Sequence, residues 1–293
     1  MLVSAFAKIN LSLEVVGKYD TRYHEIKTIL QTVGIRDIIE IRRWSRLRVE
    51  CDVPSLAGSN NLVWKAAHKL AKHAGISPQA RIFINKQIPV GMGLGGGSSD
   101  AAATLIALNK FWKLHLEPIE LTKIAKELGS DVPFFLQGGT ALGEGKGELI
   151  TQLPDLPPLE LLLICPNQTI PNKTATLYSQ LNASNFSDGG ITNSMVGSLV
   201  TGQLPTDIIH NVFESIAFQT FPTLSNIFQV IQMSVNASPH LCGSGPGIFC
   251  FPSNKTEFDQ LRYYLKNSDC VVYLTNCIES TAVQCQSNNS LTD

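Results

Sequence analysis

Gln87-Ile-Pro-Val-Gly-Met-Gly-Leu-Gly-Gly-Gly-Ser-Ser-Asp100 decides how the rest of this chain is read. Five glycines fall within the seven residues from Gly91 to Gly97, and Ser98, Ser99 and Asp100 follow them. The alanine-rich segment from Ala101 to Trp112 comes next, with Leu105, Leu108 and Trp112 at helical spacing. Ser98, Ser99 or Asp100 can cap that helix, and the glycines let the preceding backbone turn its N–H groups toward one point. Unpaired amides and the positive end of a helix dipole both favour an anion, so the stretch reads as a phosphate loop. A plain glycine-rich surface turn is the competing reading. The loop's setting between an apolar strand, Arg81-Ile-Phe-Ile-Asn-Lys86, and a capped helix argues against it.

Two familiar phosphate schemes do not fit. Gly91-x-Gly93-x-x-Gly96 matches the dinucleotide fingerprint, which also needs a second strand ending in an acid about twenty residues on. Here Lys113-Leu-His-Leu-Glu-Pro-Ile-Glu-Leu-Thr-Lys123 leads into another helix. No Gly-Lys-Ser/Thr ends the loop, so the Walker pattern fails as well. Serines stand where that loop has its lysine.

The 293 residues, 44% apolar, suffice for two ordinary domains, and a net charge of -1 implies no broad field for nucleic acid. Seven scattered cysteines without a Cys-x-x-Cys argue against zinc and against a disulfide framework, which fits a reducing cytoplasm. No apolar run reaches the ~20 residues of a membrane span. Met1 to Ala7 reads as the start of a first strand and not as a signal peptide.

Taken in order, residues 2–16 are extended and 17–24 a polar loop, with strands at 27–33, 36–43 and 46–52. A helix covers 60–74 and ends at Gly75. After the loop's helix, Pro118 to Leu128 forms a second one, and 140–148 is a hairpin. The proline-rich 153–158 is the expected boundary between a domain at 1–155 and another at 156–286, with 287–293 a disordered tail. Beyond it, strands are expected at 159–165 and 270–276, and helices at 172–182, 191–201, 208–233 (broken near Pro222) and 255–267. Leu241 to Phe251 is a second glycine turn running into a strand. Strands first, then segregated helices, argue an α+β fold.

Pro89-Val-Gly-Met-Gly-Leu-Gly-Gly-Gly-Ser-Ser-Asp-Ala-Ala102 resembles the phosphate loop of the GHMP kinases, which include galactokinase, homoserine kinase and mevalonate kinase. Three further stretches carry the resemblance in the family's order: Ala7-Lys-Ile-Asn-Leu11 with Tyr23-His24, Gly129-Ser-Asp-Val-Pro-Phe-Phe135, and Gly243-Ser-Gly-Pro246. Within the superfamily they are most similar to the branch acting on 4-diphosphocytidyl-2-C-methyl-D-erythritol, in the non-mevalonate route to isoprenoids. The resemblance implies two α+β domains with the active site in the cleft between them. It also implies ATP-dependent phosphorylation of that substrate's 2-hydroxyl. Thr21-Arg22, Cys242 and Val212 depart from the family's pattern, which commonly has Asp-Gly, a small hydroxyl residue and an acid there.

Residue by residue, the resemblance makes Asp131 the catalytic base, in a position where apolar neighbours can desolvate it. Read without the family, Asp131 is better taken as a turn residue bonding its own backbone. Lys8 interrupts an apolar strand and, by resemblance, pairs with Asp131 and stabilises charge on the moving phosphoryl group. The bland alternative is an edge strand with Lys8 in water. Asn10, on the same strand face, would help hold the acceptor. Tyr23 would stack on cytosine while His24 bonds its edge. Tyr178 is a weaker second wall and reads better as core. ATP would meet Pro89, Gly91, Gly93, Leu94, Gly95, Gly96, Gly97, Ser98 and Ser99, with the amides from Gly93 to Ser99 cradling its phosphates. Lys86 would lend charge, although an exposed lysine near a strand end needs no function, and Asn61 resembles the adenine-side segment although helix capping explains it as well. Gly243 and Ser244 would support the acceptor or the first loop. Mg²⁺ would accompany ATP with protein ligands unassigned. The expected partners are small molecules only, in a monomer or homodimer. Another small-molecule GHMP kinase, of homoserine or mevalonate type, is the rival enzyme, and a non-catalytic nucleotide-binding module the rival from another class.

Overall fold

The computed structural model describes residues 1–19, 23–168, 170–266 and 268–280. The Thr21-Arg22 departure and the expected disordered tail lie outside them. Two long strands open the chain, β1 (Leu2–Lys18) and β2 (His24–Arg42), paired antiparallel. β3 (Arg48–Cys51), α1 (Leu62–His73), β4 (Arg81–Asn85), α2 (Gly96–Phe111) and α3 (Pro118–Lys126) follow. The hairpin of β5 (Thr140–Glu144) and β6 (Leu149–Gln152) joins the same sheet through β2. Then come β7 (Glu160–Pro166), α4 (Lys173–Gln180), α5 (Gly190–Val200), β8 (His210–Asn211), α6 (Glu214–Thr220) and α7 (Pro222–Ser234). β9 (His240–Leu241), β10 (Ile248–Cys250), α8 (Lys255–Leu265) and β11 (Cys270–Asn276) complete the described elements.

The strands form two sheets. One has seven strands, in the path β3-β4-β2-β1-β8 with β5 and β6 attached; the other has four, in the order β11-β7-β10-β9. Val63, Leu70, Leu105 and Leu108 carry α1 and α2 onto the first sheet. Ile227, Ile231, Phe258 and Leu261 carry α7 and α8 onto the second. A third cluster, with Ile9, Leu11, Ile29, Leu161, Leu163 and Phe249, joins the two sheets and includes Leu94 of the glycine stretch. This is the α+β arrangement expected from the sequence. Sheet membership changes near residue 155, except that β8 returns to pair parallel with Ser12–Leu13 of β1.

Three local readings need correction. The strands expected at 27–33 and 36–43 are one strand, because Gly34 and Ile35 form a bulge between the pairs Val33–Ala7 and Arg36–Phe6. The helix expected from 208 begins at Glu214, because His210–Asn211 is strand; the break expected near Pro222 is borne out, that proline opening α7 at its first position. No hydroxyl or carboxylate caps α2. Gly95 is its N-cap, left-handed at φ 72°, so the helix starts inside the glycine run. Among the described residues, no helix is long and apolar enough to cross a membrane.

Candidate active site

The glycine stretch forms one wall of a cleft of about 430 Å³. Pro89, Gly91, Gly93, Leu94, Gly95, Gly96, Gly97, Ser98, Asn61 and Lys86 all line it, together with Ser55 to Ala57, Asp100 and Lys173. The first intrahelical bond of α2 runs from Ser99 N to Gly95 O at 2.9 Å. The amides of Gly96, Gly97 and Ser98 therefore have no helical carbonyl and remain free for an anion. Ser99 does not belong with them: its amide is used in the helix, and its buried side chain lines a second cavity beside Thr32 and Phe135. Asn61 caps α1, accepting from Val63 N at 2.8 Å and donating to Leu56 O at 2.6 Å, so its side chain is committed to the fold.

β1 brings the first charged group to this wall. Its backbone is tied to the loop by Lys8 N donating to Leu94 O at 3.0 Å. The strand lies between β2 and β8 and not at an edge, and Lys8 is buried with its ammonium directed at Asn10 Oδ1, 2.7 Å away. Asn10 in turn donates to Thr28 Oγ1 at 2.8 Å, which fixes its amide. Asp131 Oδ2 stands 3.8 Å from Lys8 Nζ. The Lys8 side chain is 5% exposed and that of Asp131 39%, so the expected desolvation of Asp131 is not found; its carboxylate faces open space. A Cβ at Gly95 would lie 2.7 Å from the Phe135 ring and 3.1 Å from Lys8 Cγ, which measures how closely the loop, the lysine and the Asp131 segment meet.

The second glycine turn completes this meeting. Gly247 N donates to Met92 O at 3.2 Å, and a Cβ at Gly93 (φ 79°) would overlap the carbonyl oxygen of Cys242. A Cβ at Gly243 would sit 3.1 Å from Lys8 Nζ. Asn211 holds the turn from behind, donating to Leu241 O at 3.1 Å and to Gly243 O at 2.7 Å. The Asn211–Glu214 segment thus has a clear structural task, with Val212 in the apolar cluster. Ser244 Oγ shares a hydrogen bond with Thr174 Oγ1 at 2.7 Å and accepts from Lys173 Nζ at 3.3 Å.

Lys86 is not a solvated strand-end lysine. Its ammonium bonds Asp37 and, at 2.8 Å, Asp100 Oδ2, with all three side chains buried. Asp37 Oδ1 also accepts from Gln87 N at 2.6 Å and Ile88 N at 2.8 Å, so this cluster anchors both ends of the glycine stretch. Burial alone depresses the Lys86 pKa, but the charges of Asp100 and Asp37 outweigh it and the net shift is upward. Burial pushes Asp100 up to about 7, against the pull of Lys86 and with Asp37 adding to the rise. Lys86→Met would leave two buried carboxylates facing each other. Its expected cost is about 3–5 kcal/mol of unfolding free energy, read from urea unfolding. A variant as stable as the parent would show that the triad does not hold the loop.

Outside the lining of that cleft, Tyr23 is more than half exposed, with Lys146 Nζ 4.1 Å from its ring centre. The His24 ring stacks on Tyr178 at 5.0 Å and meets Phe186 edge-on at 6.0 Å. Tyr178 leans edge-on against Phe213 at 4.8 Å, so it belongs to the core and backs His24 at once. Burial and then the charge of Lys18 lower the His24 pKa, which favours the neutral ring able both to donate and to accept. Burial, with Asp131 adding to it, pushes the Tyr178 hydroxyl up to about 12. Phe186, Lys146, Lys173, Asp37 and Asp100 were not singled out from the sequence as site residues. Lys173, directly after Pro171-Asn172 at a helix start, carried the most local signal.

Residues 61–139 match the family model described as the GHMP kinases N terminal domain. A 4-diphosphocytidyl-2-C-methyl-D-erythritol kinase of Dehalococcoides mccartyi is 35% identical over 273 residues, covering 93% of this chain and 96% of the relative. A crystal structure of 4-(cytidine 5'-diphospho)-2C-methyl-D-erythritol kinase superposes with a TM-score of 0.79 at 29% identity, covering 94% of this chain and 99% of the other. The Methanococcus jannaschii mevalonate kinase shares the fold, with a TM-score of 0.70 at 14% identity over 95% and 98% of the two chains.

Proposed function

We propose a reaction for this chain from one premise: it belongs to the 4-diphosphocytidyl-2-C-methyl-D-erythritol kinase family of the GHMP kinases. It is a small-molecule kinase, and the alcohol it phosphorylates is the 2-hydroxyl of the cytidine-bearing methylerythritol. The observation that supports this most is the Lys8–Asp131 pair, 3.8 Å apart, on a strand whose Lys8 amide bonds the glycine stretch. A phosphoryl group held by the loop's free amides then lies beside a cation and a carboxylate, as transfer to an alcohol requires.

The steps follow from those positions. ATP enters the cleft, its polyphosphate accepting from the amides of Gly96, Gly97 and Ser98. The cytosine stacks on Tyr23, and neutral His24 bonds its edge, braced by Tyr178. Asp131 takes the proton of the acceptor hydroxyl as its oxygen bonds the γ-phosphorus. The bond from that phosphorus to the β–γ bridging oxygen breaks, and ADP leaves with the electron pair. Lys8, steadied by Asn10, offsets the charge on the moving group. Mg²⁺, when bound with ATP, lowers the charge of the triphosphate. Ser98 Oγ and Asp100 Oδ1, a buried oxygen without a hydrogen-bond partner among the described residues, are the donors here that fit it. The described residues hold no cluster of three metal-ligating side chains, so phosphate and water oxygens would fill the remaining positions. The cytoplasm is the compartment this reading carries, supported by free thiols at Cys165, Cys242 and Cys250.

The test is an ADP-coupled assay with ATP and three alcohols: the diphosphocytidyl methylerythritol, mevalonate and homoserine. Turnover is expected with the first alone, with cytidine diphosphate competing against it. Turnover with mevalonate or homoserine, unaffected by cytidine diphosphate, would assign the chain to a different GHMP activity. ATP binding without turnover of any of them would favour the non-catalytic module.

A further inference from the structure

We infer that Lys173, at the start of α4, is a second phosphate-gripping cation that holds the triphosphate tail of ATP from the side of the second glycine turn; this rests on the kinase reading above. Lys173 lines the same cleft as Gly91 to Ser98 although it is far from them in the chain. Its Nζ donates to Ser244 Oγ at 3.3 Å, and that hydroxyl is held in turn by Thr174 Oγ1 at 2.7 Å. The ammonium is thus aimed by two neighbours and not left to swing in solvent. Asn172, its N-cap, takes the left-handed φ of 53°, a conformation asparagine adopts more readily than most residues with a Cβ.

Unlike Lys8 and Lys86, Lys173 has no acidic partner among the described residues. Lys86 is already matched by two carboxylates, Asp37 and Asp100. Lys8 has Asp131 at 3.8 Å. Lys173 makes no ion pair among the described residues, and its pKa is lowered by burial and then by the charge of Lys8. Of the two lysines that line the cleft, Lys173 is the one with no carboxylate within ion-pair distance among the described residues, so its positive charge is locally unpaired. Such an arrangement costs folding free energy in the empty protein, and it favours any polyanion that enters. The glycine loop beside it supplies amides but no cation of its own, so Lys173 provides what the Walker lysine provides elsewhere.

The experiment compares the parent with Lys173→Met and Lys173→Arg. Calorimetric binding of inorganic tripolyphosphate, at low and moderate salt, reads the charge directly. Steady-state KM values for ATP and for the cytidine-bearing alcohol separate the two phosphate sources. The Met variant is expected to bind tripolyphosphate about tenfold more weakly, with a flatter salt dependence. Its KM for ATP should rise while that for the alcohol stays constant, and Arg should restore most of the loss. Unchanged tripolyphosphate affinity and salt slope in the Met variant overturn the inference. So does a rise confined to the alcohol's KM, which would assign Lys173 to the acceptor's diphosphate. An Arg variant that melts like the parent yet binds no better than Met also overturns it. Should the Met variant fail to fold, Lys173→Gln takes its place with the same readouts. A parent protein that binds neither tripolyphosphate nor ATP defeats the kinase reading itself, and this inference with it.

Discussion

Asp131→Asn is expected to lower kcat by about 10²–10⁴-fold, with the melting temperature and ATP affinity of the parent retained. The side chain is 39% exposed and has one ionic partner, Lys8 at 3.8 Å, so its removal leaves little unsatisfied in the fold. An amide has nearly the same shape but no basicity toward a hydroxyl proton. The loss therefore falls on the chemical step, and KM for both substrates should change little. Lys8 keeps Asn10 as a hydrogen-bond partner at 2.7 Å in the variant, which guards against collapse of the site. Pre-steady-state quenching with ATP and the cytidine-bearing alcohol reads the step itself. A variant turning over at the parent's rate would remove Asp131 from the mechanism.

Gly93→Ala is the substitution expected to do most damage from a single added methyl. Its Cβ would overlap the Cys242 carbonyl oxygen and lie 3.1 Å from Gly245 N, and both are backbone atoms. No flexible side chain can move aside, so the two glycine turns must separate and the Gly247 N to Met92 O bond is lost. The φ of 79° adds about 1–2 kcal/mol of strain for any residue with a Cβ. A shift of the loop by an ångström relative to Lys8 and Asp131 costs roughly 10²-fold in rate, and ATP binding should weaken with it. Gly91→Ala is the control: it shares the positive φ, but nothing lies within 4 Å of its Cβ position. Kinetics and melting of the pair decide the matter. Equal effects at the two positions would mean that contact between the turns is unimportant.

The residues of the site differ in how far their sequence signals reach along the chain. The glycine stretch, Lys8 inside an apolar strand and Asp131 after a helix end were legible because each is a local pattern. Lys8 and Asn10 sharing a strand face followed from the period of a strand, and the 2.7 Å bond between them bears it out. Asp37 was not legible, since its partner Lys86 is 49 positions away and a lone acid in a strand reads as solvent-facing. Lys86 was read as exposed for the same reason. α2 was assigned the wrong cap because hydroxyls usually outrank glycine there; the backbone's need for a left-handed turn at Gly95 prevailed. β8 was lost inside a helical reading, two residues being too short to show a period. Lys173 reaches the site through the placement of α4 and Phe186 through a bridge to Val15 of β1, long-range contacts that no local pattern announces.

A ternary crystal structure with a non-hydrolysable ATP analogue and the cytidine-bearing alcohol tests the central claim most directly. The acceptor oxygen is expected about 3–3.5 Å from the terminal phosphorus, with the Asp131 carboxylate hydrogen-bonded to that hydroxyl and Lys8 Nζ on the phosphoryl group. A terminal phosphorus beyond the reach of both Lys8 and Asp131 would contradict it.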